Sequence, residues 1–261
     1  MAFVQVERAL RLETVQAARL VRFAGLLYGV GGVAIMCLVW PLFGAFLSNA
    51  PRLAAPWLAP SADVGLGLEN PVLAALVDAA LIAAFGLQHS LMARASFKRW
   101  CGVILAPAFQ RATYVHAANG VLLALISLWQ PIPIELWHAH HPVLRSICWG
   151  SFALGWIILL AGALSFGVHE LLGVRQVLDW YRNRPPQALP LKTQGLYRWL
   201  RHPMYVGVLL AVWATPYMTI GHALLATGLT LYVLIARSYE ERDLRSAYGR
   251  AYQAWCARPS P

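Results

Sequence analysis

The sequence predicts an all-α fold, a multi-pass transmembrane helical bundle of five to six spans whose last two form a helical hairpin. Three observations predict it. Of the 261 residues 59% are hydrophobic and only 12% charged, where a soluble domain carries about 25% charged residues. Several uninterrupted apolar runs reach the ~20 residues that a bilayer crossing needs, a length that a rich soluble core does not demand. The basic residues also fall almost entirely on one side of those runs when they are threaded alternately through a membrane.

The first 22 residues carry Arg8, Arg11, Arg19 and Arg22 with Glu7 and Glu13, and show no short apolar region followed by a small-residue cleavage site. They read as an amphipathic helix leading into a first span over residues 23–47. Pro51, Pro56 and Pro60 mark a loop. The second span covers 71–91, a basic stretch follows over 94–111, and the third span covers 113–129. Pro131, Pro133 and the His138, His140, His141 run form another loop, and the fourth span covers 146–168. A long polar segment then reaches Pro203. Beyond it lie a short apolar run over 204–214, a break at Thr215-Pro216, and a second run over 218–236. The pair reads as a hairpin over 203–236, its short first arm crossing fully only where the bilayer thins or protein covers its ends. The charged tail begins as a helical extension. No repeat divides the chain, so residues 1–261 read as a single membrane domain.

With six spans and both termini on one side, that side collects nineteen of the 21 basic residues, and the other keeps only Arg52 and Arg145. Lys and Arg are retained on the cytoplasmic side, so both termini are expected in the cytoplasm and the chain in the cytoplasmic membrane. The formal net charge of +10 is thereby a topology signal and implies no nucleic-acid partner. Cys37, Cys101, Cys148 and Cys256 match no zinc or redox spacing, so neither a disulfide nor a structural metal is expected. The His138/His140/His141 run is of a kind that collects metals adventitiously, and no functional metal is assigned to it.

Polar side chains within a span cost on the order of several kcal/mol unless paired or hydrated, so their positions are informative. Gln88 and His89 close the second span. His116 and Asn119 open the third, on one helix face by their i, i+3 spacing. His169 and Glu170 close the fourth, and His202 precedes the fifth. Four segments thus direct polar groups to one depth near the cytoplasmic surface. Asp78 lies nearer the other side and reads as an interhelical bond.

The segment from Gly195 to Gly207, Gly-Leu-Tyr-Arg-Trp-Leu-Arg-His-Pro-Met-Tyr-Val-Gly, carries the chemistry. Pro203 suits a first helical position, which sets Arg201 and His202 at a helix N-terminus, where unpaired N–H groups favour anions. Tyr205 lies a short step inside, and Gly207 permits close approach of backbone or ligand. Past the hairpin, Glu240 and Glu241 return to the same membrane face. Carboxylates and aromatic faces suit a ligand bearing ammonium and sulfonium groups.

Together these two segments resemble the integral-membrane methyltransferases typified by isoprenylcysteine carboxyl methyltransferase and the phospholipid N-methyltransferases. Those enzymes pair Arg-His-Pro-x-Tyr-x-Gly with a downstream Glu-Glu. The resemblance narrows further to methanethiol S-methyltransferases on four additional stretches: Phe85 to Arg94, Arg111 to Tyr114 with Trp129-Gln130-Pro131, His169 to Val177, and Trp213 to His222. It implies that S-adenosyl-L-methionine is the methyl donor, leaving S-adenosyl-L-homocysteine, and that a small volatile thiol is the acceptor. Residues 169–261 would form the cofactor-binding part. The expected cofactor ligands are Tyr197, Arg201, His202, Pro203, Tyr205, Gly207, Glu240 and Glu241. The thiol base is sought among His202, His89 and His169, oriented by Glu170 or Arg198, and the acceptor pocket among Tyr205, Trp213 and His116. Two rival readings stand beside this: a lipid or prenylcysteine methyltransferase of the same fold, and a haem-binding NnrU-like membrane protein using His89, His116 or His169. Oligomeric state is not legible.

Overall fold

A computed structural model describes residues 2–49, 61–185, 187 and 189–257, with the side chains of the first helix described from Arg19 onward. The loop prolines Pro51, Pro56 and Pro60 and the side chains of Arg8 and Arg11 lie outside the described residues. Helix α1 runs unbroken over Ala2–Ser48, so the N-terminal amphipathic segment and first span form one rod. It ends where Asn49 turns into the left-handed region at φ 57°.

Among the described residues, proline opens four of the α-helices that follow. α2 (Pro71–Ala93) is capped by Asn70, whose side chain accepts from the N–H groups of Val72 and Leu73. A short α3 (Ala95–Cys101) lies before α4 (Pro107–Leu128). α5 (Pro142–Phe166) is capped by His141, and α6 (Val168–Leu171) and α7 (Val174–Tyr181) follow. α8 (Pro203–Trp213) leads to α9 (Ile220–Tyr248), capped by Thr219, and to the terminal α10 (Arg250–Cys256). Proline at the first position sacrifices an N–H that has no helical partner there.

Among the described residues, four helices are long and apolar enough to cross a membrane: Arg19–Ser48 within α1, then α2, α5 and α9. The chain is therefore a multi-pass membrane protein. α4 is as long but less apolar, because it carries Gln110, Arg111, His116 and Asn119. Its eleven-residue companion α8 extends only about 16 Å at 1.5 Å per residue, roughly half a bilayer core. The five-to-six-span expectation is thus matched roughly, as four span-length apolar helices, the less apolar α4 and the short α8.

The core lies toward the end of the bundle remote from the motif. Val39, Phe43, Phe46 and Leu47 of α1 meet Ile82 of α2, Leu122 and Leu125 of α4, and Leu225 and Leu229 of α9. That end is closed by polar staples. Trp129 Nε1 donates to Ala62 O (3.1 Å), and the Gln130 N–H donates to Asp78 (2.8 Å). His222 and Asp63, both fully buried, meet at 2.9 Å through Nδ1, and Thr219 donates to the same carboxylate from its N–H and hydroxyl.

Two differences from the sequence reading are local. The hairpin connection near Pro216 is no plain turn: Tyr217–Thr219 (β2) pairs antiparallel with Glu135–His138 (β1), a segment expected to be loop. Ile220 N–H also donates to Ile134 O, and Ala139 N–H to Pro216 O. A half-depth helix leaves backbone groups at membrane depth, and these bonds satisfy them. The second difference is that α4 begins at Pro107, six residues before the expected start, so Arg111 is a helical residue facing inward rather than a loop cation.

α5 and α8 form the closest helix pair. A Cβ on Gly207 would meet Leu159 N at 2.5 Å and Gly155 O at 2.7 Å, and one on Gly155 would meet Ala211 N at 2.7 Å. Small residues facing each other let two membrane helices approach to backbone contact. This seam fixes where Pro203, and hence the motif, lies.

Candidate active site

The motif enters through a tight turn. Gly195 takes φ +60° and packs against Ser165 of α5, whose hydroxyl accepts from Leu196 N–H. A 3₁₀ turn over Gly195–Arg198 then buries Tyr197 against Phe166. Burial, and after it the Glu240 carboxylate, push the Tyr197 phenol up to about 12, so it remains a neutral donor at ordinary pH. α8 starts immediately afterwards, with His202 at its N-cap.

Twenty residues along α9, or about 30 Å at helical rise, bring Glu240 and Glu241 back from Ile220 to His202. His202 Nδ1 stands 3.6 Å from Glu240 and Nε2 3.4 Å from Glu241, so both ring nitrogens face carboxylates. Its ring stacks on Tyr205 at 5.5 Å between centroids. Glu241 is further held by Arg237 and by Arg245, each one helical turn away. Of the residues expected to hold a cofactor, Tyr197, His202, Tyr205, Glu240 and Glu241 are thus one group.

The others serve the scaffold. Arg201 donates to Cys256 O at 3.1 Å and ties α10 to the motif. Pro203 packs on Gly162 of α5, and the space beside Gly207 is filled by the α5 backbone, leaving no room there for a ligand. Arg198 lies over the Trp199 ring.

A second cluster adjoins the first. His89 Nε2 makes a short hydrogen bond with the Tyr114 hydroxyl, while its buried Nδ1 has no protein partner. Phe85, Tyr114 and Tyr232 surround the His89 ring at 5.3, 4.8 and 5.8 Å. The Arg111 guanidinium lies 4.9 Å from the Tyr114 ring centroid, anchored by Nε donating to Leu171 O. Tyr232 lies on α9 about two turns before Glu240, so this cluster shares a helix with the glutamates that face the motif. Arg111, Tyr114 and Tyr232 were missed in the sequence. Arg111 sits in a basic stretch and counts as topology charge, and aromatic residues on a span read as core; only the Pro107 helix start signalled that Arg111 faces inward.

His169 and Glu170 lie apart, in a cleft of about 390 Å³ lined also by Arg175, Arg182, Arg184 and Lys192. Lys192 donates to Glu170 at 2.7 Å, and Arg175 pairs with the same carboxylate. The Lys192 hydrogen bond foremost, with Arg175 beside it, holds Glu170 below the usual carboxylate range. Glu170 is therefore committed to pinning the 182–194 segment and does not orient a base at His202. His116 donates from Nε2 to Tyr28 O at 2.8 Å and stacks on that ring, facing α1. Trp213 donates to Thr230 and stands eight residues, about 12 Å along the helix, from Tyr205. Neither joins Tyr205 in a pocket; hydropathy located their depth but not the face on which they lie. The three histidines of the haem reading do not converge: His89 bonds to Tyr114, His116 to Tyr28 O, and His169 lines the separate cleft.

Residues 151–251, which contain the motif and both glutamates, match the phospholipid methyltransferase family model. A methanethiol S-methyltransferase from a Pseudomonas species is 41% identical over 90% of this chain and 87% of its own length. Another, from Mycobacterium tuberculosis, is 41% identical over 69% of this chain and 74% of its own. The chain belongs to the methanethiol S-methyltransferase family. As a member it is a membrane-embedded methyltransferase, and its chemistry requires a methyl donor. Nurim from Danio rerio is also similar, 31% identical over 73% of this chain and 72% of nurim. No solved structure matches.

Proposed function

We propose that this protein methylates methanethiol to dimethyl sulfide, and hydrogen sulfide to methanethiol, with S-adenosyl-L-methionine as donor. The observation that carries the reading is whole-chain similarity to enzymes named for that acceptor, centred on a site whose donor set suits that cofactor. Glu240 and Glu241 offer carboxylates to hydroxyl and ammonium groups, and Tyr205 and Tyr197 offer aromatic surface to a sulfonium. The bound cofactor supplies a methyl carbon activated by positive sulfur.

His202, Tyr197, Tyr205, Glu240 and Glu241 hold the donor, within a cofactor-binding part spanning 169–261 and facing the cytoplasm. With Nε2 bonded to Glu241 and Nδ1 facing Glu240, His202 orients the two carboxylates. His89 is the base. With Nε2–H donating to the Tyr114 oxygen, Nδ1 keeps its lone pair and takes the proton of the thiol. A thiolate is the nucleophile, and a simple thiol keeps its proton to about pH 8.5, so the Arg111 guanidinium favours the anion as it forms. The thiolate sulfur bonds to the methyl carbon as the carbon–sulfur bond to the donor breaks. Neutral sulfide and S-adenosyl-L-homocysteine leave, and the proton passes from His89 to solvent. Alignment and exclusion of water by the aromatic box supply the remaining rate.

Membranes containing the protein, given donor and methanethiol, should release dimethyl sulfide into the headspace. His89→Ala should lower turnover ~10²–10⁴-fold with donor binding kept, and His202→Ala should weaken donor binding. Binding of S-adenosyl-L-homocysteine without any dimethyl sulfide would remove the acceptor and keep the family. Full turnover in His89→Ala would remove that residue as base.

A further inference from the structure

The acceptor must reach the methyl carbon from the side of Tyr205 and Glu240 that faces the membrane interior, where His89, Tyr114 and Tyr232 lie. An acceptor with a long chain would need to pass its tail sideways between helices into the bilayer. The flank of this chamber bounded by α2 and α9 is shut. The Tyr232 ring lies against Gly86, close enough that a Cβ there would meet it at 3.2 Å, and one turn earlier on α9 a Cβ on Gly228 would meet Ile82 at 2.7 Å. Phe85 abuts the same ring edge-on at 5.8 Å, and His89 stands perpendicular to it at 5.8 Å. The ring is half-buried between a glycine that admits it and the histidine proposed as base.

We infer that Tyr232 sets the acceptor size, its ring closing the α2–α9 seam so that only thiols of one or two carbons fit beside His89. The inference rests on the proposed methyl transfer to a small thiol and adds the residue that excludes larger ones. The ring, and not its hydroxyl, is the barrier. Packing at Gly86 is what lets so large a side chain occupy the seam, and removing the ring leaves a passage bordered by Gly86, Phe85 and Ile82.

The test compares kcat/KM for 1-butanethiol and methanethiol in wild type, Tyr232→Ala, Tyr232→Leu and Tyr232→Phe, with the methyl sulfide products measured by gas chromatography. Wild type should prefer methanethiol strongly. The alanine and leucine variants should shift the ratio at least ~10-fold toward butanethiol, the scale of a few methylenes in a tight pocket, and phenylalanine should keep the wild-type ratio. An unchanged ratio in an alanine or leucine variant that still turns over methanethiol overturns the inference. The wild-type protein provides a second measurement that needs no variant to fold. 1-Hexanethiol should inhibit methanethiol methylation only weakly, and a Ki near the methanethiol KM overturns the inference outright. Wild-type membranes that make no dimethyl sulfide sink the proposed function itself, and this inference with it.

Discussion

Gly207 belongs to the motif by sequence and to the α5–α8 seam by structure, and Gly207→Ala separates the two roles. The added methyl would stand 2.5 Å from Leu159 N, 2.7 Å from Gly155 O and 2.9 Å from Leu159 Cα. All three are backbone atoms, so no side chain can swing aside. Carbon contacts normally lie at about 3.5 Å or beyond, so the two helices must part by roughly 0.5–1 Å. A gap of that size forfeits about a quarter to a half of each contact, and tens of atom pairs at ~0.1–0.2 kcal/mol each then lose ~1–2 kcal/mol. In a chain of this size that corresponds to a fall of about 2–8 °C in the unfolding midpoint. The displacement also moves Pro203 and His202, and a shift approaching 1 Å can cost ~10²-fold in rate. The assay pairs thermal unfolding in detergent with methyl transfer, using Gly150→Ala in α5 as control. A Cβ at Gly150 meets nothing within 4 Å, and alanine there gains up to ~1 kcal/mol of helix propensity. The reasoning is refuted if Gly207→Ala matches wild type in midpoint and turnover, or if it raises only the donor KM as loss of a cofactor contact would.

At the opposite end, His222→Ala leaves the buried Asp63 carboxylate without its imidazole partner. It should cost ~3–5 kcal/mol, read as loss of folded yield and midpoint, while the folded fraction keeps its turnover because His202 lies at the opposite end of α8 from the Val212 carbonyl that His222 contacts. Glu170 gives a pH test. Its carboxyl lies below the ordinary value when folded, so its stabilisation is present above about pH 4.3 and is lost as pH falls through the lowered value. Glu170→Gln should therefore unfold at a lower temperature than wild type at pH 7, with the gap narrowing below about pH 4; a gap constant from pH 7 to 3 would show that the Lys192 and Arg175 pairing is not its source.

Much of the fold is a one-dimensional property and was legible as such. Apolar run length sets helix count and Pro71 and Pro203 set helix starts, because each follows from local composition meeting a bilayer, whereas the fourth span was expected from 146 and begins at Pro142. The His202 motif and the two glutamates were legible for the same reason: chemistry concentrated in short segments on one membrane face. Which face of a helix a residue presents is a different matter, fixed by neighbours far away in the chain. Hydropathy grouped His116 and His169 with the motif, but packing shows one turned to Tyr28 of α1 and the other lying in a separate cleft. Gly207 looked like a ligand contact until Gly155 appeared opposite it. The roles of Arg111, Tyr114 and Tyr232 were not assigned from the sequence, since a buried cation and a pair of aromatics acquire meaning only when His89 stands beside them. The pairing of β1 with β2 likewise arises only because the half-depth α8 leaves backbone groups to be satisfied. Sequence alone determined the membrane fold, its expected orientation and the presence of a methyl-transfer motif. The tertiary structure decided which polar groups share one chamber, because that depends on distances across helices that no spacing along the chain encodes.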